Sequence, residues 1–378
     1  MKELSKNPSN RRSFLKKGLF AGTAAAGAGL LASHSAKGQA TTPPTPGDIA
    51  ILRFLAAAEL IESDMWQQYA ELGGLTPGQL PVETNTTFTP MNNYQAAMMA
   101  LDPDGPQYIS SNTIDELSHA AFLNAYLQLI GALPVNFDVY RTLPSSQATG
   151  AKNIGRLTNL MNLNVDTSWF TRYHSATNPD LGGGPYAQAI NLTNVTAIPR
   201  NNADLALSNI QAIANVAAFH FGYIEQGGTS LYATLSQQVT NAQVLQITLG
   251  IGGDEICHFL EWVDFAGNAV QPPNAPLAAA NGLPGFPNFD ASVPNPSVLT
   301  APSPLLQTNL IFPVPTQFIS ANLPPVAIIR PLTSAQGGAV ATINSFVADG
   351  MFLGQSPAFI QLLQELAQQA DAAVRQVY

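Results

Sequence analysis

The chain has 378 residues, 46% of them hydrophobic, which is enough for a sizeable core and argues against global disorder. Residues 1–40 carry seven of the 15 Lys and Arg and one of the 24 Asp and Glu, so the remaining 338 residues have a formal charge of −15. That balance disfavours nucleic acid and anionic membrane surfaces as partners, and the single cysteine, Cys257, excludes a disulfide framework or a Cys-rich metal site.

In chain order, the first element is an address. Asn10-Arg11-Arg12-Ser13-Phe14-Leu15-Lys16 is a twin-arginine pattern, followed by a Gly- and Ala-rich apolar stretch over residues 18–32. The stretch is shorter than the ~20 residues a membrane span needs, and Gly38-Gln39-Ala40 suits a cleavage site. Residues 1–40 are therefore expected to be a twin-arginine signal peptide. The mature protein is expected to be periplasmic or extracellular and free of the membrane.

After a Pro/Thr linker, Asp48 is expected to cap a first long helix that runs to about residue 72. Ile51, Leu55, Ala58, Glu62, Met65, Tyr69 and Leu72 alternate at four and three residues along it. Gly73-Gly74 stops the pattern, and a short helix is expected over 92–101. A second long helix spans about 112–131, with Asn112, Glu116, His119, Leu123, Tyr126 and Ile130 on one stripe. Residues 132–203 read as a long crossover insertion with one short helix around 151–163. Asp204 is expected to open a third helix to about residue 235. A fourth, over about 241–267, places Val244, Ile251, Glu255, His258, Trp262 and Phe265 together. Fourteen prolines between residues 271 and 331 exclude regular helix or a central strand there. Helices return over 334–350 and 356–377, the latter opened by Ser356-Pro357. The fold class expected is all-α: a four-helix bundle over 48–268 with one long crossover, plus a Pro-rich extension over 271–378 that ends in helices.

Two segments share one shape. Asp115-Glu116-Leu117-Ser118-His119 lies in the second helix, and Asp254-Glu255-Ile256-Cys257-His258 in the fourth. Glu and His three apart project from one helix face. The first and third helices also place carboxylates on their inner stripes: Glu59 or Glu62, and Glu225. Only nine Glu occur after residue 40, and five of them are these. Buried carboxylates without partners cost several kcal/mol each, and two divalent metal ions would neutralise four of them and use both imidazoles. One Glu from each of two helices and Glu-x-x-His from each of the others is a dinuclear carboxylate pattern. Its bland alternative is a hydrogen-bonded polar core.

At these residues the chain resembles the exported bacterial ferritin-like family that includes plant desiccation-related proteins. Leu55-Ala56-Ala57-Ala58-Glu59-Leu60-Ile61-Glu62 is similar to its first helix, 114–123 to its second and 254–258 to its fourth. The resemblance covers about residues 48–268. It implies a ferritin-like bundle with iron, or alternatively manganese, and redox chemistry on dioxygen or peroxide. A di-iron oxidase or peroxidase and a manganese catalase-like enzyme are both compatible. A structural or stress-protective protein with an empty site is the rival class.

Glu59 stands seven before Trp66, and Glu62 seven before Tyr69, as Glu225 stands seven before Tyr232, so both helix-one candidates stay open. Asp115 and Asp254 precede His119 and His258 by four. In similar sites such an Asp accepts the spare N–H of a ligand His, commonly from the opposite motif; a solvated helix position is the alternative. Tyr126, Tyr232 and Trp66 read as core filler or as groups near the site, and Cys257 as a small packing residue. Glu261 reads as a solvated acid, and His174 and His220 as ordinary. Gly222, Gly227, Gly228, Gly250, Gly252 and Gly253 imply close helix approach or room beside the Glu side chains.

Overall fold

The computed structural model describes residues 43–79, 88–173, 188–269, 317–327 and 338–376. Eight helices dominate it, as expected of an all-α chain. In chain order they are α1 (Pro46–Gly73), α2 (Asn93–Leu101), α3 (Gly105–Leu129), α4 (Ser168–Tyr173), α5 (Ile210–Ser236), α6 (Ala242–Gly267), α7 (Ala339–Asp349) and α8 (Pro357–Asp371). The four long ones form two pairs, α1 along α3 and α5 along α6. The expected signal peptide lies outside the described residues, as does the proline-rich stretch apart from 317–327, which is irregular. No helix among the described residues is long and apolar enough to cross a membrane.

The start of α1 corrects one expectation. Thr45, not Asp48, is the N-cap: its hydroxyl accepts from the Asp48 backbone N–H, and Asp48 answers from the third helical position. Asp48 also accepts from the backbone of Thr240 and Asn241 and so ties α1 to the α5–α6 turn. Helix α3 starts earlier than expected, with Pro106 in its first turn. Helix α5 starts later, at Ile210. Asp204 does not open it, because its carboxylate is taken by the Arg200 guanidinium at 2.7 and 2.9 Å and by the Arg200 N–H.

The crossover holds no helix over residues 151–163. Its backbone groups are committed elsewhere: Arg156 pairs with Leu143 in an isolated bridge, and the N–H groups of Leu157 and Thr158 donate to Asp64 on α1. The short helix falls instead at α4, between two small antiparallel strands, β1 (Leu163–Val165) and β2 (Leu192–Val195). Arg156 of the crossover also pairs with Glu71 near the end of α1, and both side chains are buried.

The described C-terminal helices belong to the same compact unit as the bundle, residues 44–378. Helix α8 lies against α1 through a face that includes Phe359, Leu363, Leu366, Ala367 and Ala370, and α7 packs on α8 and α5. Ser356 caps α8 by accepting from Phe359 N–H.

Candidate metal centre

The inner stripes of the four long helices meet in one buried cluster. Glu59, Glu116 and Glu255 have no exposed surface, and Glu62, Glu225, His119 and His258 are all buried. Two overlapping groups of ligand atoms lie within 4.8 Å of one another, Glu59–Glu116–His119–Glu255 and Glu116–Glu225–Glu255–His258, and each can hold a metal ion. Glu116 and Glu255 belong to both. Of the two helix-one candidates, Glu59 enters a group and Glu62 enters neither, although Glu62 is close enough to feel Glu116, Glu59 and Glu225 electrostatically.

Both histidines turn the same nitrogen inward. Nδ1 of His119 lies 3.3 Å from Glu116 and 3.4 Å from Glu59, and Nδ1 of His258 lies 3.1 Å from Glu116 and 3.3 Å from Glu225. Their Nε2 atoms point outward to a half-exposed rim. His119 Nε2 sits 3.2 Å from Asp254, and His258 Nε2 sits 3.6 Å from Asp115, each across to the opposite motif. The His119–Asp254 contact is a hydrogen bond and favours the tautomer that leaves Nδ1 of His119 free to ligate, whereas His258 Nε2 has no hydrogen-bond partner at 3.6 Å from Asp115.

Electrostatics show how costly the cluster is without cations. Burial first, then Glu59, pushes Glu116 up to about 8. Burial also raises Glu62 and Glu255 well above the carboxylate range. Burial opposes charge on His119, yet Asp254, Glu116 and Glu59 together push it up to about 12. His258 is raised in the same way against its own burial, by Glu225, Asp115 and Glu116. Even so, one oxygen of each of Glu59, Glu116 and Glu225, and both of Glu255, have no hydrogen-bond partner. Buried polar atoms are rarely left so. A metal cation fits them: each group offers carboxylate oxygens and one imidazole as donors.

Aromatic donors brace two of the carboxylates, Glu225 and Glu59, reciprocally. Trp66 Nε1 donates to Glu225 Oε1 at 2.9 Å, and the Tyr232 hydroxyl donates to Glu59 Oε1. Each donor stands seven residues, two helical turns, after the other's acceptor. Backbone ties repeat the exchange, with Ser63 Oγ donating to the Glu116 carbonyl and Thr229 Oγ1 to that of Glu255. Trp66 and Tyr232 are thus more than filler, whereas Tyr126 donates to Gln243, away from these carboxylates. Cys257 is exposed rather than packed. Glu261 is raised to about 7 by partial burial, and His174 lies outside the described residues.

The glycines divide into two sets. A Cβ on Gly228 would stand 2.1 Å from Glu255 Oε2, one on Gly222 would strike Trp169, and one on Gly252 would strike Tyr232. Gly227, Gly250 and Gly253 face open space. Gly228→Ala must therefore displace the Glu255 carboxylate and is expected to weaken metal binding by roughly 10–100-fold, the range for disturbed ligand support. Gly227→Ala is expected to leave metal binding unchanged and to stabilise α5 by up to about 1 kcal/mol. Metal titration and melting of the two variants check the pair; equal affinities would refute the steric argument.

The roles of Ser63, Thr229 and His220 carry no period-based signal, because each depends on a partner distant in sequence. No family model matches the chain, and no match is found among curated proteins or solved structures.

Proposed function

We propose that this chain is a ferritin-like four-helix bundle that binds two metal ions, iron first and manganese as the alternative, for redox chemistry on dioxygen or peroxide. The observation that carries the reading is the pair of ligand groups that share Glu116 and Glu255. Glu116 and Glu255 would be held in common by the two groups, with Glu59 and His119 completing one and Glu225 and His258 the other. Four carboxylates balance two divalent ions, and burial holds the Glu62 carboxyl well above its ordinary value in the metal-free cluster. The bound metals would supply one-electron redox steps and open coordination positions for a small oxidant. The protein's own part is to hold the ligand atoms, exclude water and orient the His119 imidazole through Asp254, with Asp115 placed near that of His258.

Metal analysis of the purified chain tests this directly. After anaerobic loading with ferrous or manganous ion and removal of excess, about two ions per chain are expected. A chain that retains no metal would leave the bundle as a scaffold, the reading of a structural or stress-protective protein.

A further inference from the structure

A second buried polar chain lies about two turns along α1 from the carboxylates. Tyr69 of α1 places its hydroxyl 2.8 Å from Nδ1 of His220 on α5. Nε2 of His220 lies 3.2 Å from Oδ2 of Asp349, the last residue of α7. All three side chains are buried, and the other oxygen of Asp349 has no hydrogen-bond partner. The contacts set the tautomer: Nε2–H donates to Asp349, which leaves Nδ1 as the acceptor of the phenol proton. Of the other tyrosines, Tyr232 donates to the Glu59 carboxylate, at a proposed metal ligand itself, and three more meet poorer bases. Tyr94 donates to the Ala197 carbonyl, Tyr126 to the Gln243 amide, and Tyr223 shares a hydrogen bond with Ser345.

Tyr69 also has a path to the cluster. Its ring centroid is 5.8 Å from that of Trp66 and 4.6 Å from that of Phe221, and Phe221 stacks on Trp66 at 4.8 Å. Trp66 in turn donates to Glu225. The sequence of groups is therefore continuous from Asp349 through His220, Tyr69 and Trp66 to a proposed metal ligand.

We propose that Tyr69 is a one-electron donor whose phenolic proton moves to His220 as its electron leaves through Trp66 toward an oxidised transition-metal ion at the carboxylate cluster. The O–H bond of Tyr69 breaks, and a neutral phenoxyl radical remains. The proton forms a new N–H bond at Nδ1 of His220, and the acceptor is reduced by one electron. Asp349 is a positioning residue that holds the imidazole and balances its positive charge once protonated. The 2.8 Å contact lies within reach for such a transfer. Burial, then Tyr94 and Asp349, hold the phenol well above its ordinary value, so the proton stays on oxygen until oxidation. The identity of the oxidant rests on the proposed metal centre; the behaviour of Tyr69 does not.

The test uses the metal-free protein, so that it can fail separately from the metal reading. Cys257 is the only cysteine and is exposed, so a ruthenium photo-oxidant can be attached there alone. Flash-quench oxidation is expected to give a phenoxyl radical by transient absorption and by electron paramagnetic resonance. Tyr69→Phe is expected to remove that signal, and Trp66→Phe to slow its appearance. His220→Gln is expected to slow it by roughly a hundredfold, the low end of what a positioned base contributes. Asp349→Asn should act in the same direction. In wild type the rate should fall in deuterium oxide and the radical spectrum should narrow with ring-deuterated tyrosine, neither of which a purely structural triad would produce. A wild-type protein that gives no phenoxyl, a Tyr69→Phe variant that gives as much as wild type, or a rate with no isotope effect overturns the proposal. Metal content, measured separately, decides the metal reading alone.

Discussion

Replacing Glu116 and Glu255 together by Gln is expected to abolish stoichiometric metal binding and to make the metal-free protein more stable at neutral pH. Each residue belongs to both ligand groups, so the two changes take two carboxylates from either site at once. Gln keeps the volume and removes the charge. The remaining anions cannot balance two divalent ions. The pH behaviour follows from the direction of the shifts. Burial raises folded Glu116 from 4.5 to about 8 and raises Glu255 as well. Between those values the folded apoprotein binds more protons than the unfolded chain. Its stability is thus full below about pH 4.5 and is lost as the pH rises through about 8. His119, raised to about 12, adds a loss in the same direction that begins near its ordinary value. Wild-type apoprotein should therefore melt progressively lower from acid to alkaline pH, and the double variant should show a shallower decline. The loaded wild type should behave oppositely, because metal replaces the protons and binds more tightly as they leave. Melting of apo wild type, loaded wild type and apo variant across that range checks the set. Parallel declines in the two apoproteins would sink the electrostatic account.

Asp64→Ala is expected to cost about 1–3 kcal/mol, the range for leaving buried donors unsatisfied, since its ion-pair partner Arg141 is partly exposed. Asp64 has no exposed surface. Its carboxylate accepts from the N–H groups of Leu157 and Thr158 at 2.9 Å, from Thr158 Oγ1 at 2.8 Å and from Arg141 at 2.6 Å. Removal leaves those donors unpaired and frees the crossover from α1. Asp64→Asn should cost less, since one amide oxygen still serves part of the set. Urea denaturation of the two variants measures the difference. Equal and small effects would show that the crossover is held mainly by its apolar contacts. Because Asp64 lies between Glu62 and Trp66, a loosened crossover should also lower metal affinity.

The long helices were legible because each repeats an apolar stripe every three or four residues, and the chemistry-bearing residues sit on those stripes. The choice between Glu59 and Glu62 was not, since both lie on the buried face of α1. Glu59, which enters a ligand group while Glu62 does not, accepts from Tyr232, 173 residues away. The mistaken helix at 151–163 has a related cause. Local sequence permits it, but Asp64, 94 residues before Thr158, claims the backbone that a helix would have used. Similarly His220 reads as ordinary in its own helix, and only Asp349, 129 residues on, and Tyr69, 151 before, give it a role. Periodicity encodes which face turns inward; it does not encode which inward side chains meet.

The helix pairing described above has a consequence for assembly. Helices α1 and α3 pack mainly on each other, as do α5 and α6. Neither hairpin owns a complete ligand group: the first holds Glu59, Glu116 and His119 and borrows Glu255, while the second holds Glu225, Glu255 and His258 and borrows Glu116. Each site is closed by one carboxylate from the far half. The two halves therefore bring like-charged carboxylates together within a seam that aromatic contacts such as Trp66–Phe221 also close, and that repulsion is relieved either by protons or by cations. Metal would act as a clasp, favouring the docked state over a loosened one in which both hairpins persist with their halves apart. Affinity for the ion and the free energy of docking the hairpins are then one quantity seen from two directions, and a weakened seam anywhere between the halves would show first as lost metal.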